Sequence, residues 1–371
     1  MKRGCTRGIA LLATVAACLP VGAAEKWKMQ FFHDELKSSL QIVDLQFASA
    51  TRGVAVGVIQ EGTKEKPVAV ITSNGGSHWQ TVELPEMPVS LFFLSENLGW
   101  LVTAKGGLWQ TTEAGRNWRK LPRIPGPALR VYFTTEKDGY ALCLKKKVFE
   151  THDGGSTWTA VAAADEPPGK ADQSAYNWVA FASPRLGMIS GWNAPPRRWQ
   201  ERPEWMDPEA AIARHDTPHL VYSLVTSDGG KTWKAGSASL FGDVTRFRFL
   251  SDGRGLGLIE YTNAFRYPSE VYKIDWKTGK NETVYRDRRF HITDIWTTPD
   301  GTAYLAGYQV TGQIRSVVPG KVQVLKSKDW AAWEETEVYY QAVGNRVILA
   351  AAGDDNLWIA TDRGMILKLT K

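Results

Sequence analysis

The sequence predicts an all-β protein: a seven-bladed β-propeller of four-stranded antiparallel blades, its ring closed by an N-terminal strand. Three observations lead there. A glycine-rich turn recurs four times, a pair of apolar strands recurs between the turns, and the last unit lacks a strand that the N-terminus can supply. Composition agrees: the 371 residues include 34 Gly, 18 Pro and 16 Trp, a mixture suited to short strands, tight turns and large aromatic anchors.

The repeated turn has one layout. Thr72, Asn74, Gly76 and Trp79 form the first copy, and Thr111, Glu113, Gly115 and Trp118 the second. Thr151, Asp153, Gly155 and Trp158 form the third, and Thr226, Asp228, Gly230 and Trp233 the fourth. The tryptophans are 39, 40 and 75 residues apart, so the last gap holds one repeat plus an insertion at 193–219. An acid or amide at the third position can accept backbone N–H groups while the glycines take positive φ. This is the Asp-box, or BNR repeat, and its role is to stabilise a hairpin turn. Asp275 with Gly279, and Ser327 with Asp329, are degenerate copies at best.

Between turns, Phe92 and Phe93 lead to Gly99-Trp100, Tyr132 and Phe133 to Gly139-Tyr140, and Phe181 to Gly187. Each unit of about 40 residues reads as four strands. The units fall near 38–85, 86–122, 123–164, 173–240, 241–289 and 290–341, with a three-stranded remainder at 342–371. Pairing 26–32 with 365–369 completes a seventh blade and removes open sheet edges. Six and eight blades are the alternatives.

The N-terminus precedes this domain. Lys2, Arg3 and Arg7 are followed by an apolar stretch at 9–17 and by Gly22-Ala23-Ala24, the layout of a secretory signal peptide. Residues 1–24 are read as the signal and 25–371 as one propeller domain. A lipobox-like segment ending at Cys18 leaves an anchored lipoprotein as the second reading. Without the signal, 42 basic face 39 acidic residues, a net of +3 that gives no basis for nucleic-acid binding. Cys143 is then the one remaining cysteine, read as buried and inert among apolar neighbours. No other apolar run is long enough to span a bilayer.

The phenylalanine-bearing first strand, the Gly-Trp second strand and the Thr-x-Asp-Gly-Gly-x-Thr-Trp turn resemble the photosystem II assembly and stability factor family of exported propellers. Phe92, Phe93, Gly99, Trp100 and the turns from Thr151 and Thr226 carry the likeness, over roughly residues 40–240. The resemblance implies a non-catalytic scaffold that binds a partner protein, such as a membrane-complex subunit, during assembly. The insertion at 193–219 and the missing turns in blades five to seven depart from the family pattern.

Sialidases carry the same turn, so an enzyme of that carbohydrate-active class is the rival. It requires an arginine triad, a Tyr–Glu nucleophile and an Asp acid/base. Glu260-Tyr261 is the adjacent Glu–Tyr pair, but neighbours on a strand point to opposite faces. His215 and His219 have metal-like spacing, yet Pro218 and the loop composition argue against a helix. No P-loop, dinucleotide fingerprint or nucleophile elbow is present, so no catalytic residue, cofactor or metal is assigned.

Second-to-third strand turns and blade-to-blade turns share one face. The long segments 59–67, 193–219, 261–269 and 307–321 are expected there, opposite the repeated turns. That face collects Arg197, Arg198, Trp199, Arg202, Trp205, Arg266, Tyr267, Arg286, Arg288 and Arg289 as a candidate binding surface for a protein segment or anionic ligand. A solvated basic rim neutralised by Glu201, Glu204, Asp207 and Asp287 is the equal alternative. Mass spectrometry of the exported protein is expected to find a mature N-terminus at Glu25; a lipidated Cys18 terminus would overturn that cut.

Overall fold

A computed structural model describes residues 25–194, 218–261, 267–275, 280–310 and 318–370. Strand β1 (Lys26–Phe32) is the N-terminal strand. Blade one holds β2 (Ser38–Phe47), β3 (Gly53–Glu61), β4 (Lys64–Thr72) and β5 (Gln80–Glu83). Blade two holds β6 (Pro88–Phe93), β7 (Gly99–Thr103), β8 (Leu108–Thr111) and β9 (Arg119–Leu121). Blade three holds β10 (Ala128–Phe133), β11 (Gly139–Cys143), β12 (Lys147–Thr151) and β13 (Thr159–Ala160).

After two short 3-10 turns, Ala162–Asp165 and Ala171–Gln173, blade four holds β14 (Ser174–Phe181), β15 (Gly187–Asn193), β16 (His219–Thr226) and β17 (Lys234–Leu240). Blade five holds β18 (Gly242–Phe249), β19 (Arg254–Tyr261), β20 (Ser269–Asp275) and β21 (Asn281–Arg286). Blade six holds β22 (Phe290–Thr297), β23 (Ala303–Gln309), β24 (Val322–Ser327) and β25 (Glu334–Glu335). A short β26 (Glu337–Val338) precedes β27 (Val347–Ala351), β28 (Leu357–Thr361) and β29 (Met365–Thr370) of blade seven. Inner strands β2, β6, β10, β14, β18, β22 and β27 touch their neighbours in sequence, and β27 returns to β2. The ring has seven blades.

Strand β1 closes it. Lys26 pairs with Thr370, Trp27 with Leu369 and Phe32 with Met365, antiparallel. Trp27 is almost fully buried, and its indole N–H donates to Thr336 Oγ1 at 2.9 Å. An addition unseen in the sequence is β26, which pairs parallel with β1 through Glu337 and Val338 and covers the start of its outer edge.

An aromatic–glycine couplet fixes the packing of each blade. Phe47 pairs with Gly53, Phe93 with Gly99, Phe133 with Gly139, Phe181 with Gly187 and Phe249 with Gly255, each the last pair of its ladder. A Cβ on any of these glycines would lie 2.4–2.7 Å from the phenylalanine ring, so the ring folds over bare backbone. Blades six and seven change both partners together, to Thr297 with Ala303 and Ala351 with Leu357. The aromatic that follows the glycine serves the next blade: Trp100 stacks on Phe133 at 3.7 Å, and Tyr140 on Phe181 at 5.9 Å.

The repeated turns behave as capped hairpins. Thr226 Oγ1 donates to Asp228 Oδ1 at 2.8 Å and accepts Gly230 N–H at 2.8 Å. Asp228 in turn accepts Thr232 N–H at 3.0 Å and the Thr232 hydroxyl at 2.6 Å. The turn at Asp153 has the same bonds, with Ser156 N–H added. Hydrogen bonds from the Thr157 and Thr232 hydroxyls hold both carboxyls down at about 2. Glu113 instead binds the Asn117 side chain, because its longer arm overshoots the backbone. Each closing tryptophan packs edge-on against its own blade's phenylalanine, as Trp79 does on Phe47 at 5.9 Å and Trp233 on Phe181 at 6.2 Å.

Two expectations need correction. Residues 59–67 are not a long loop: β3 and β4 pair to the hairpin tip, Glu61 with Lys64. The turn at Ser327 is more than a remnant, since Asp329 Oδ1 accepts the Ser327 hydroxyl and the N–H groups of Ala331 and Ala332. Trp330 takes the left-handed position there, φ 62°, where three of the four other copies place glycine and the second places Ala114, φ 55°. Cys143 is fully buried, and burial pushes its thiol up to about 12.

Trp27→Ala is expected to cost about 3–5 kcal/mol in chemical denaturation, since it empties the closure site. A chain beginning at Lys37 should melt well below the full domain, and equal melting would refute the closure. Thr226→Val should cost about 1–3 kcal/mol by leaving the buried Gly230 N–H unpaired. The Asp228 carboxyl is depressed on folding, so its stabilisation is complete above the ordinary carboxylate value and is lost as pH falls through about 2. Asp228→Asn should therefore flatten the pH dependence of the melting temperature between about pH 4 and pH 2.

Candidate functional site

Six inner strands carry an extra residue at the same place. Val43, Val89, Leu129, Asn177, Thr245 and Thr293 are the unpaired residues of these bulges. The residue after each bulge stands three places before the last pair of its ladder: Asp44, Ser90, Arg130, Trp178, Arg246 and Asp294. A bulge twists its strand and re-aims the next side chain. Here the re-aimed side chains meet across the ring.

Arg130 of blade three lies 3.7 Å from Asp44 of blade one, and its guanidinium sits 4.4 Å from the Trp178 ring of blade four. Arg246 of blade five reaches the same ring at 4.2 Å and lies 3.4 Å from Asp294 of blade six. Arg248 stands over Trp296 at 4.1 Å and is 5.0 Å from Trp178. Arg346, just before β27, joins from blade seven within electrostatic reach of Arg246, Asp44 and Asp294. These residues form an axial funnel where the seven inner strands meet.

The electrostatics are those of crowded cations among aromatic walls. Desolvation pushes Arg130 down to about 10, Asp44 opposes this, and repulsion from Arg246, Arg346 and Arg248 adds to it. Burial likewise lowers Arg248 and Arg346. Arg130 keeps 17% of its side chain accessible and Arg246 10%, so both are largely enclosed by protein. Both aspartates are committed to structure. Asp44 accepts the N–H groups of Leu45 and Leu91, and Asp294 those of Ile295 and Leu349, tying each inner strand to the next.

Beside the funnel, at the loop-rich end of blades five and six, Glu260 Oε2 lies 3.2 Å from His291 Nε2 and Tyr308 Oη 2.9 Å from His291 Nδ1. Burial pushes Glu260 up, but its bond to His291 and the charge of Arg246 carry it below the usual carboxylate range. With Glu260 ionised, Nε2–H donates to it and the Tyr308 hydroxyl donates to Nδ1.

The sequence-predicted residues divide. Arg197, Arg198, Trp199, Arg202, Trp205 and Arg266 lie outside the described residues, as does His215. Tyr267, Arg286, Arg288 and Arg289 lie together on the expected face: the Arg286 and Arg288 guanidiniums stand 5.1 and 5.9 Å from the Tyr267 ring. Arg286 also reaches the buried Glu270 at 3.3 Å, and Arg289 pairs with Asp287 at 3.6 Å. Tyr261 does not meet Glu260; its hydroxyl donates to Glu270 at 3.1 Å, a carboxylate that Tyr272 also contacts. Burial raises the Tyr261 phenol, which opposes a nucleophilic role. His219 is engaged with Asp243 at 2.6 Å, and no metal-holding group of acids, histidines and cysteines occurs among the described residues. Among those residues, no helix is long and apolar enough to cross a membrane.

Arg130, Arg246, Arg248 and Arg346 escaped the sequence reading. Their signal was present, because aligning the inner strands on the last residue of each ladder puts Arg130 and Arg246 in one column with Asp44 and Asp294.

No family model matches the chain. A photosystem II assembly lipoprotein Ycf48 from Synechococcus sp. (strain CC9902) is 26% identical over 131 residues, 32% of this chain and 35% of that protein. The match therefore spans about a third of the relative's length. Among solved structures, YCF48 bound to D1 peptide superposes with a TM-score of 0.59 at 15% identity, covering 92% of this chain and 99% of that one. A streptogramin B lyase superposes at 0.57 with 11% identity, covering 93% and 97%, so the fold alone does not separate binder from enzyme. In sequence over about a third of its length, and in its seven-bladed fold over nearly all of it, the chain is similar to the photosystem II assembly factor Ycf48.

Proposed function

We propose that the protein is an exported, non-catalytic binding and assembly scaffold that captures an acidic protein segment on its loop-rich face. The observation that carries this reading is the axial funnel, where Arg130, Arg246, Arg248 and Arg346 converge around Trp178 and Trp296. Guanidiniums beside indoles can bond carboxylates through their remaining N–H groups, and the rings supply apolar area for a neighbouring side chain. The rim of Tyr267, Arg286, Arg288 and Arg289 extends the positive surface outward, and the sequence expectation adds Arg197, Arg198, Trp199, Arg202 and Trp205, which lie outside the described residues.

The relatives favour this choice over its rival. A Ycf48 is described as an assembly lipoprotein, and another was solved bound to a D1 peptide. By analogy the partner is a protein segment, with a subunit of a membrane complex as the leading class. Export through the 1–24 signal places the scaffold in the periplasm or outside the cell, and the Asp-box turns serve stability on the opposite face. The sialidase-like alternative would need a Tyr–Glu nucleophile, which the Tyr261 and Glu260 geometry does not favour.

The test uses a fluorescent acidic peptide containing glutamates and one aromatic residue. Arg346→Glu combined with Arg288→Glu, both at exposed positions, should weaken binding at least tenfold and reduce its salt dependence, with little change in melting temperature. Unchanged affinity would refute the loop-rich face. Sialosides incubated with the wild type should remain intact; hydrolysis abolished by Tyr261→Phe would establish the enzyme instead.

A further inference from the structure

The funnel is short of partners for its cations. Arg130 lies 3.7 Å from Asp44 Oδ2 without forming a hydrogen bond, and that oxygen already accepts Leu91 N–H at 2.9 Å. Arg246 Nε lies 3.4 Å from Asp294 Oδ1, which already accepts Ile295 N–H at 2.9 Å. This Nε is buried and donates to nothing among the described residues, although the Arg246 Nη1 end is held by Thr245 O at 2.7 Å. Ser90 Oγ, in the same ring of re-aimed positions, is also buried without a partner. Four guanidiniums face three carboxylates, Asp44, Asp294 and Glu260, and two of those three are engaged by backbone on both oxygens. A fourth cation beside three carboxylates already engaged leaves positive charge for a counter-ion to meet. Arginine keeps its proton, so a counter-ion is the available solution.

We propose that a small oxyanion of the phosphate and sulfate type occupies the funnel between Arg130, Arg246 and Arg346 as a resident counter-ion, and that an acidic partner enters by displacing it. Planar guanidiniums match pairs of oxygens better than a spherical halide, and two of them are gathered at 4.4 and 4.2 Å from the Trp178 ring. The depressed proton affinity of Arg130, Arg248 and Arg346 accords with cations that lack such an ion. Only the displacement step rests on the acidic-segment reading above; the resident ion does not.

The experiment is a melting-temperature titration of the full exported domain with sodium phosphate and with sodium sulfate, ionic strength held constant by sodium chloride. Sulfate stabilises proteins in general by exclusion from their surfaces, an effect that grows without saturating. A site adds a saturable rise of several degrees in the wild type, abolished in Arg346→Gln and in Arg246→Gln. If Arg246→Gln fails to fold, Arg346→Gln at the exposed mouth still decides. Identical unsaturated slopes in wild type and Arg346→Gln would overturn the resident ion. In the second arm, phosphate at ten times its dissociation constant should weaken acidic-peptide affinity about tenfold by competition. Saturable phosphate binding that leaves peptide affinity unchanged would overturn the displacement step. Saturable binding with no peptide bound at all would sustain the ion and refute the scaffold reading.

Discussion

One extra residue in each of six inner strands determines what the centre of this molecule can do. A regular antiparallel strand alternates its side chains between the two faces of the blade. The bulge breaks that alternation and turns the following side chain toward the axis. Because it recurs at one distance from the end of the ladder, the six re-aimed residues stand in a ring. Blade seven has no such register shift between β27 and β28 and contributes Arg346 from the residue before its inner strand instead. The chemistry of the funnel is thus written in these six positions together with Arg248 and Arg346, and the rest of each blade serves to hold them.

Those six positions divide between holding the ring and binding. Asp44 and Asp294 reach the next blade's backbone and act as interblade clasps. Trp178 does likewise through its indole N–H, which donates to Phe247 O at 3.0 Å. The arginines receive what is left, namely aromatic faces and carboxylates whose lone pairs are committed elsewhere. A cation in that situation is poised for an external anion, and the cost of keeping it is met by the rigidity of closed blades. Closure through Trp27 therefore matters to function as well as to stability, since an opened ring would let the arginines splay into water.

The fold was legible because its rules are local. The Thr-x-Asp-Gly-Gly turn, the six-residue step from Phe47 to Gly53 and the spare strand around Trp27 each constrain a few neighbouring residues. Blade six shows where such reading fails: Ser327 and Asp329 rebuild the cap without glycine, with Trp330 held in a left-handed conformation. The site was less legible because it is assembled across blades. Arg130 and Arg246 are 116 positions apart and meet on one indole only after the ring closes. Arginine-rich segments such as the one around Arg197 drew attention to the loops and away from the axis. Arg130, by contrast, is a single charge in an otherwise apolar strand.

The most direct measurement of the central claim is anomalous diffraction from crystals of the propeller domain grown with sodium selenate, an oxyanion that reports its own position. The account predicts a selenium peak within hydrogen-bonding distance of Arg246 Nε and of the Arg130 and Arg346 guanidiniums, lost in crystals of Arg346→Gln. A funnel filled by water alone at saturating selenate, with every guanidinium N–H bonded to protein, would contradict it.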